Sequence, residues 1–223
     1  LAQTETDALL SLKSEIEQVT LQQLIDRFRD MLGKELVEGR WQSFLMQNPF
    51  ILSLAFAVPA MIVQGQAYAG GKRLSGRGGK VADFLCASAS TGNLAIVEIK
   101  KPATDLLGTS AYRGDDVFAA SVELSGTIVQ VLDQRLKLQR ELPLLKEESE
   151  QPDIHDFGIR CIVVAGRTPV DRARRKSLEL LRNAMLGVIL LTFDELLGRL
   201  EEIHAALGPL ASEPVGSAHD ISF

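Results

Sequence analysis

Lys80-Val-Ala-Asp83-Phe-Leu-Cys86 and, a short turn later, Leu94-Ala-Ile-Val-Glu98-Ile-Lys100-Lys101-Pro102 are the stretches that decide the fold. The connection between them, Ser88 to Asn93, is rich in turn residues and ends Thr91-Gly92-Asn93. The two runs therefore predict a hairpin of strands over 81–87 and 94–100, stopped by Pro102. Aspartate is uncommon in strands, and a carboxylate in an apolar strand is costly unless it is paired or bound to a metal. Side chains alternate along a strand, so Glu98 and Lys100 share a face that Val97 and Ile99 do not. If the hairpin pairs in this register, Asp83 faces Glu98. Two readings fit such a set. In one it is a buried carboxylate–lysine ion-pair network. In the other, two carboxylates and water hold Mg²⁺, and Lys100 positions or deprotonates a water beside it.

Working outward from the hairpin, Met61 to Tyr68 predicts a strand. Gly70 to Gly79 predicts a loop with five glycines and the cations Lys72, Arg73 and Arg77. Upstream, Glu35 to Gln47 has helical spacing in Leu36, Val37, Trp41, Phe44 and Leu45, and Asn48-Pro49 ends it. Residues 5–31 read as one or two amphipathic helices. Downstream, a helix is expected over 117–140 with Val122, Ile128, Val129, Leu132 and Leu136 toward the core, and a polar loop over 141–157. A strand (157–165), a helix (171–185), a strand (187–192) and a closing helix (193–207) follow. Alternation of this kind predicts an α/β fold, a mixed sheet flanked by helices. The expected division is a helical appendage over 1–33, one domain over 34–207 and a tail over 208–223.

The chain has 223 residues, 46% of them hydrophobic and 24% charged, which suits a water-soluble globular protein with a full core. No apolar run reaches the length of a membrane span, and no signal pattern opens the chain. Residue 1 is Leu, so a longer parent protein is expected. Cys86 and Cys161 lie in apolar runs and read as reduced core thiols of a cytoplasmic protein. The formal net charge is −5, so any nucleic-acid contact must come from a local basic patch. The loop cations with Lys80 are one candidate. Arg172, Arg174, Arg175 and Lys176 form another, which also reads as a solvated helix face. Trp41 reads as core.

In this order the pieces Glu38-Gly-Arg-Trp41-Gln-Ser-Phe-Leu-Met-Gln-Asn48-Pro49, Val81-Ala-Asp83-Phe84-Leu85, Val97-Glu98-Ile99-Lys100-Lys101-Pro102, Ser121-Val-Glu123-Leu124-Ser-Gly-Thr-Ile-Val-Gln130 and Thr192-Phe-Asp194-Glu195-Leu196-Leu197 make the chain resemble the Shedu family of bacterial antiphage nucleases, within the PD-(D/E)XK superfamily. The resemblance implies a restriction-endonuclease-like core and Mg²⁺-dependent hydrolysis of DNA, with Mn²⁺ able to substitute. It also implies a homo-oligomer, a tetramer. Asp83 and Glu98 then match the metal carboxylates, Ile99 lends its carbonyl to the metal, and Lys100 matches the catalytic lysine. Glu38 matches an acidic residue on the preceding helix and Gln130 a glutamine on the following one. Related nucleases often carry a tyrosine four residues after that glutamine; Gln134 stands there in this chain. Lys72, Arg73, Arg77, Lys80, Lys101, Arg172, Arg174 and Arg175 are the expected DNA contacts. The alternative is a non-catalytic DNA- or protein-binding module of the same fold.

Overall fold

The computed structural model describes residues 17, 19–56, 60–65, 82–149 and 153–207. The elements in chain order are α1 (19–32), α2 (Glu38–Gln47), α3 (Pro49–Ser53), β1 (Ala60–Gly65), β2 (Phe84–Ser88), β3 (Asn93–Ile99), α4 (Val122–Ser149), β4 (His155–Val164), α5 (Arg172–Ala184), β5 (Val188–Leu191) and α6 (Phe193–Ala206). They form an α/β fold around a five-stranded mixed sheet in the order β1-β2-β3-β4-β5. The first two pairings are antiparallel and the last two parallel.

The hairpin closes as its turn residues dictate. The Gly92 N–H donates to Ser88 O at 2.9 Å, and Gly92 has φ +64°. A Cβ there would lie 1.8 Å from the Asp153 carbonyl oxygen, so the close approach of the two segments requires glycine.

Period-two alternation splits the core into two layers. Phe84, Cys86, Ala95, Val97, Ile99, Ile162 and Val164 pack with Leu21, Ile25 and Phe28 of α1, Trp41 and Phe44 of α2, and Phe193 and Leu196 of α6. Leu85, Ala87, Leu94, Ile96, Cys161 and Val163 pack on the opposite face with Leu124, Val131 and Leu138 of α4 and Leu178 of α5. The helix expected as an appendage thus shares the main core, because Leu21, Ile25, Phe28 and Met31 repeat at helical spacing and are all buried.

Two expectations for α4 are corrected. It begins at Val122, because Ser121 Oγ accepts the Leu124 N–H at 2.9 Å, and it runs on through Pro143 to Ser149 where a loop was expected. Its core stripe is Leu124, Val131, Leu138 and Leu142, whereas Val122 and Val129 are 91% and 67% exposed. Of the expected core positions, Ile128 and Leu132 pack partly buried against this layer, whereas Val122, Val129 and Leu136 face outward; Leu138 and Leu142 carry the buried stripe past residue 140, which keeps this acidic stretch helical.

Candidate active site

β2 and β3 bring the decisive carboxylates together. Asp83 lies one residue before β2, and continuing the Phe84–Val97 register sets it opposite Glu98. Both are buried, at 0% and 3% exposure. Asp83 Oδ2 accepts the Ile99 N–H at 2.7 Å, and its Oδ1 accepts a bond from Gln42 Nε2 at 2.6 Å. The same Gln42 nitrogen donates to Glu38 Oε1 at 3.0 Å, so one amide of α2 bridges two acids.

Glu98 is held from β3 and α4. Its Oε1 accepts from Lys100 Nζ at 3.0 Å and Gln130 Nε2 at 2.8 Å, and its Oε2 accepts from Gln134 Nε2 at 3.2 Å. Lys100 Nζ also lies 3.5 Å from Gln130 Oε1 and 4.0 Å from Glu38 Oε2. Burial works to lower the Lys100 pKa, but the bond from Lys100 to Glu98 and the charges of Glu98, Glu38 and Asp83 outweigh it and hold it above its ordinary value. At neutral pH Lys100 is an ammonium directed at Glu98, so this bonding favours positioning over proton abstraction.

All five residues expected to act in chemistry, Glu38, Asp83, Glu98, Lys100 and Gln130, therefore meet in one cluster. Gln42 and Gln134 join them; Gln42 was not singled out, and Gln134 was noted only as standing where related nucleases often carry tyrosine. The available signal was spacing: Gln42 is one turn after Glu38, and Gln134 one turn after Gln130, so each helix turns a polar pair to the same side.

Among the described residues no group of three or more His, Cys, Asp or Glu side chains is arranged to hold a metal ion. The cluster nevertheless suits a hard cation. Its formal charge is −2, from Glu38, Asp83 and Glu98 against Lys100. Its donors are oxygens, and Mg²⁺ is commonly held by one or two carboxylates with water completing the shell. Among the described residues nothing donates to the buried Gln134 Oε1, which leaves an unused oxygen acceptor beside Glu98.

A cleft of about 800 Å³ adjoins Lys101, with Leu36, Pro102, Leu106, Arg167 and Arg174 among its walls. Lys101, Arg172 and Arg175 are exposed. Arg174 differs from them. Its Nη1 and Nη2 donate to Gly108 O and Thr109 O at 3.1 and 2.8 Å, and its guanidinium lies 4.3 Å over Phe118. Arg174 clasps the β3–α4 connection to α5 instead of presenting a free charge. Lys72, Arg73, Arg77 and Lys80 lie outside the described residues. No described helix is long and apolar enough to cross a membrane.

Residues 35–197 match the family described as Shedu protein SduA, C-terminal. The chain is also 38% identical over 170 residues to the Shedu protein SduA of Bacillus cereus (strain B4264). That match covers 74% of this chain and 44% of the relative, so the chain corresponds to less than half of that protein's length.

Proposed function

This chain belongs to the Shedu SduA family, and from that premise we propose that it is a Mg²⁺-dependent DNA endonuclease with a restriction-endonuclease-like PD-(D/E)XK core, acting in cytoplasmic antiphage defence. The observation that carries the reading is the buried pair of Asp83, one residue before β2, and Glu98 of β3, with Lys100 bonded to Glu98. Asp83 and Glu98, with the Ile99 carbonyl, would hold the ion. Bound there, Mg²⁺ would lower the pKa of a coordinated water and offset charge on the phosphate. Lys100 orients the attacking water and donates toward the phosphate oxygens, Glu38 stands nearby to take the water's proton, and Gln130 keeps Lys100 and Glu98 in register. Lys101, Arg172, Arg175 and the loop cations Lys72, Arg73, Arg77 and Lys80 supply phosphate contacts. The homo-oligomer, a tetramer, is part of the same reading and is measured by light scattering.

A second reading, a non-catalytic DNA- or protein-binding module, draws on a specific observation. Every carboxylate oxygen of Asp83 and Glu98 already accepts a bond from this chain. One assay separates them: supercoiled, linear and single-stranded DNA incubated with the protein in Mg²⁺, Mn²⁺ or EDTA. Cleavage in either metal and none in EDTA supports the nuclease. DNA binding without cleavage in any metal supports the module.

A further inference from the structure

We propose that Gln42 and Gln134 are positioning residues that stand in for a cation on the two buried carboxylates before a divalent ion binds and keep them oriented once it has. The proposal rests on the nuclease reading and adds to it what the site does before metal arrives. Two carboxylates facing each other in a dry strand pair repel, and each needs donors to remain buried. Lys100 supplies one positive charge on the Glu98 side. On the Asp83 side the bridge is Gln42, whose single amide nitrogen reaches Glu38 and Asp83 at 3.0 and 2.6 Å. An –NH₂ group has two hydrogens, so both acids are served at once.

Gln134 does the corresponding work on Glu98 Oε2 from α4. It is 6% exposed, yet its Oε1 accepts nothing from the described residues. An acceptor left buried without a donor is unfavourable, and the resting network gains nothing from it. The amide is planar, so fixing Nε2 on Glu98 also fixes where Oε1 points. The donor a loaded site brings is water, because Mg²⁺ keeps several of its waters. Gln134 thus anchors Glu98 with one end and offers the other to that water.

A core-packing role and a positioning role differ in their response to metal. The test uses the full chain with Gln42→Met and Gln134→Met, which keep side-chain length and remove the donors. Melting temperature is measured in EDTA and in Mn²⁺, Mn²⁺ affinity by titration, and kcat and KM on DNA at saturating metal. Stand-in amides predict that each variant loses melting temperature in EDTA but recovers more on adding Mn²⁺ than wild type does. Turnover falls about 10–100-fold, the usual range for partners that orient metal ligands, while KM for DNA stays within about twofold. For a variant that fails to fold, Gln→Leu at the same position removes the donors without adding a charge, and the same Mn²⁺ comparison decides. Equal losses with and without Mn²⁺, with kcat unchanged, overturn the proposal. Wild type that neither gains stability from Mn²⁺ nor cleaves DNA overturns the nuclease reading instead, which separates the two failures.

Discussion

Asp83 and Glu98 accept hydrogen bonds on both oxygens while almost wholly buried, so their environment is built for charge. Removing them and removing Lys100 then have different outcomes. Asp83→Ala or Glu98→Ala is expected to abolish both the Mn²⁺-induced rise in melting temperature and cleavage. Lys100→Ala is expected to keep metal and DNA binding while turnover drops by about 10²–10⁴. Titration calorimetry beside a cleavage assay reads both. Loss of metal binding in the lysine variant would mean that Lys100 acts by holding Glu98 in place for the ion and not on the water. Asp83, Glu98 and Lys100 were legible in the sequence because charges inside apolar strands violate strand preferences and alternation puts two of them on one face. Glu38 and Gln130 entered only through family resemblance. Gln42 was missed, and Gln134 was noticed only as a departure from tyrosine and given no role, because glutamine is ordinary on a helix surface and only the register of α2 and α4 against the sheet turns these two inward. Cys86 and Cys161 are buried and unbridged, as their apolar surroundings implied, and burial pushes the Cys86 thiol up to about 12.

At the scale of elements, the α6 N-terminus is the best-determined junction. Thr192 and Glu195 form a capping box, and Arg182 of α5 donates to both oxygens of Glu195 at 2.7 and 2.6 Å. Burial would raise the Glu195 carboxyl, but the Arg182 and Thr192 bonds outweigh it and hold it below its ordinary value. Burial likewise opposes the bonds from Thr168 and Thr192 at Asp194, and the bonds prevail. A depressed folded-state pKa adds stability above the unfolded value that is lost as pH falls through the folded one. Wild type should therefore lose stability as pH drops below about 4.5, Glu195's ordinary value, and Glu195→Gln should flatten that acid limb in urea titrations. An unchanged acid limb would mean the pair contributes nothing. Thr192-Phe-Asp194-Glu195 entered the sequence reading only as a family piece, and its Arg182 partner was not visible there, since it comes from another helix. The clasp of Arg174 on Gly108, Thr109 and Phe118 was hidden for the same reason, and a basic run at a helix start looked alike for every member. Arg174→Ala should accordingly lower melting temperature, whereas Arg172→Ala with Arg175→Ala should leave it unchanged.

For the whole molecule, a formal charge of −5 means that the proposed DNA substrate would have to be held by local cations against an unfavourable mean field. Neutralising Lys72, Arg73, Arg77 and Lys80 together is expected to weaken binding and flatten its salt dependence; an unchanged slope excludes that loop as a phosphate contact. The same scale decides what counts as the domain. A break at Gly33 is plausible from sequence, since helical periodicity before it says that one face is apolar but not what covers that face. In the fold, Phe28 is fully buried with its ring 5.4 Å from Trp41 and 6.4 Å from Phe193, so α1 joins α2 to α6. Arg29 adds a rim contact to Glu201 at 2.7 Å, more than half exposed on the arginine side and worth at most about 1 kcal/mol. Phe28→Ala should therefore cost about 3–5 kcal/mol in urea unfolding, and Arg29→Ala far less. Trp41 immediately precedes Gln42, so loosening this aromatic cluster also loosens the amide that bridges Glu38 and Asp83. Residues 34–207 expressed alone should melt well below the full chain and cleave DNA poorly even where they remain folded. A 34–207 piece with the melting temperature and turnover of the full chain would make α1 an appendage after all, and would require Trp41 and Phe193 to close on each other without Phe28.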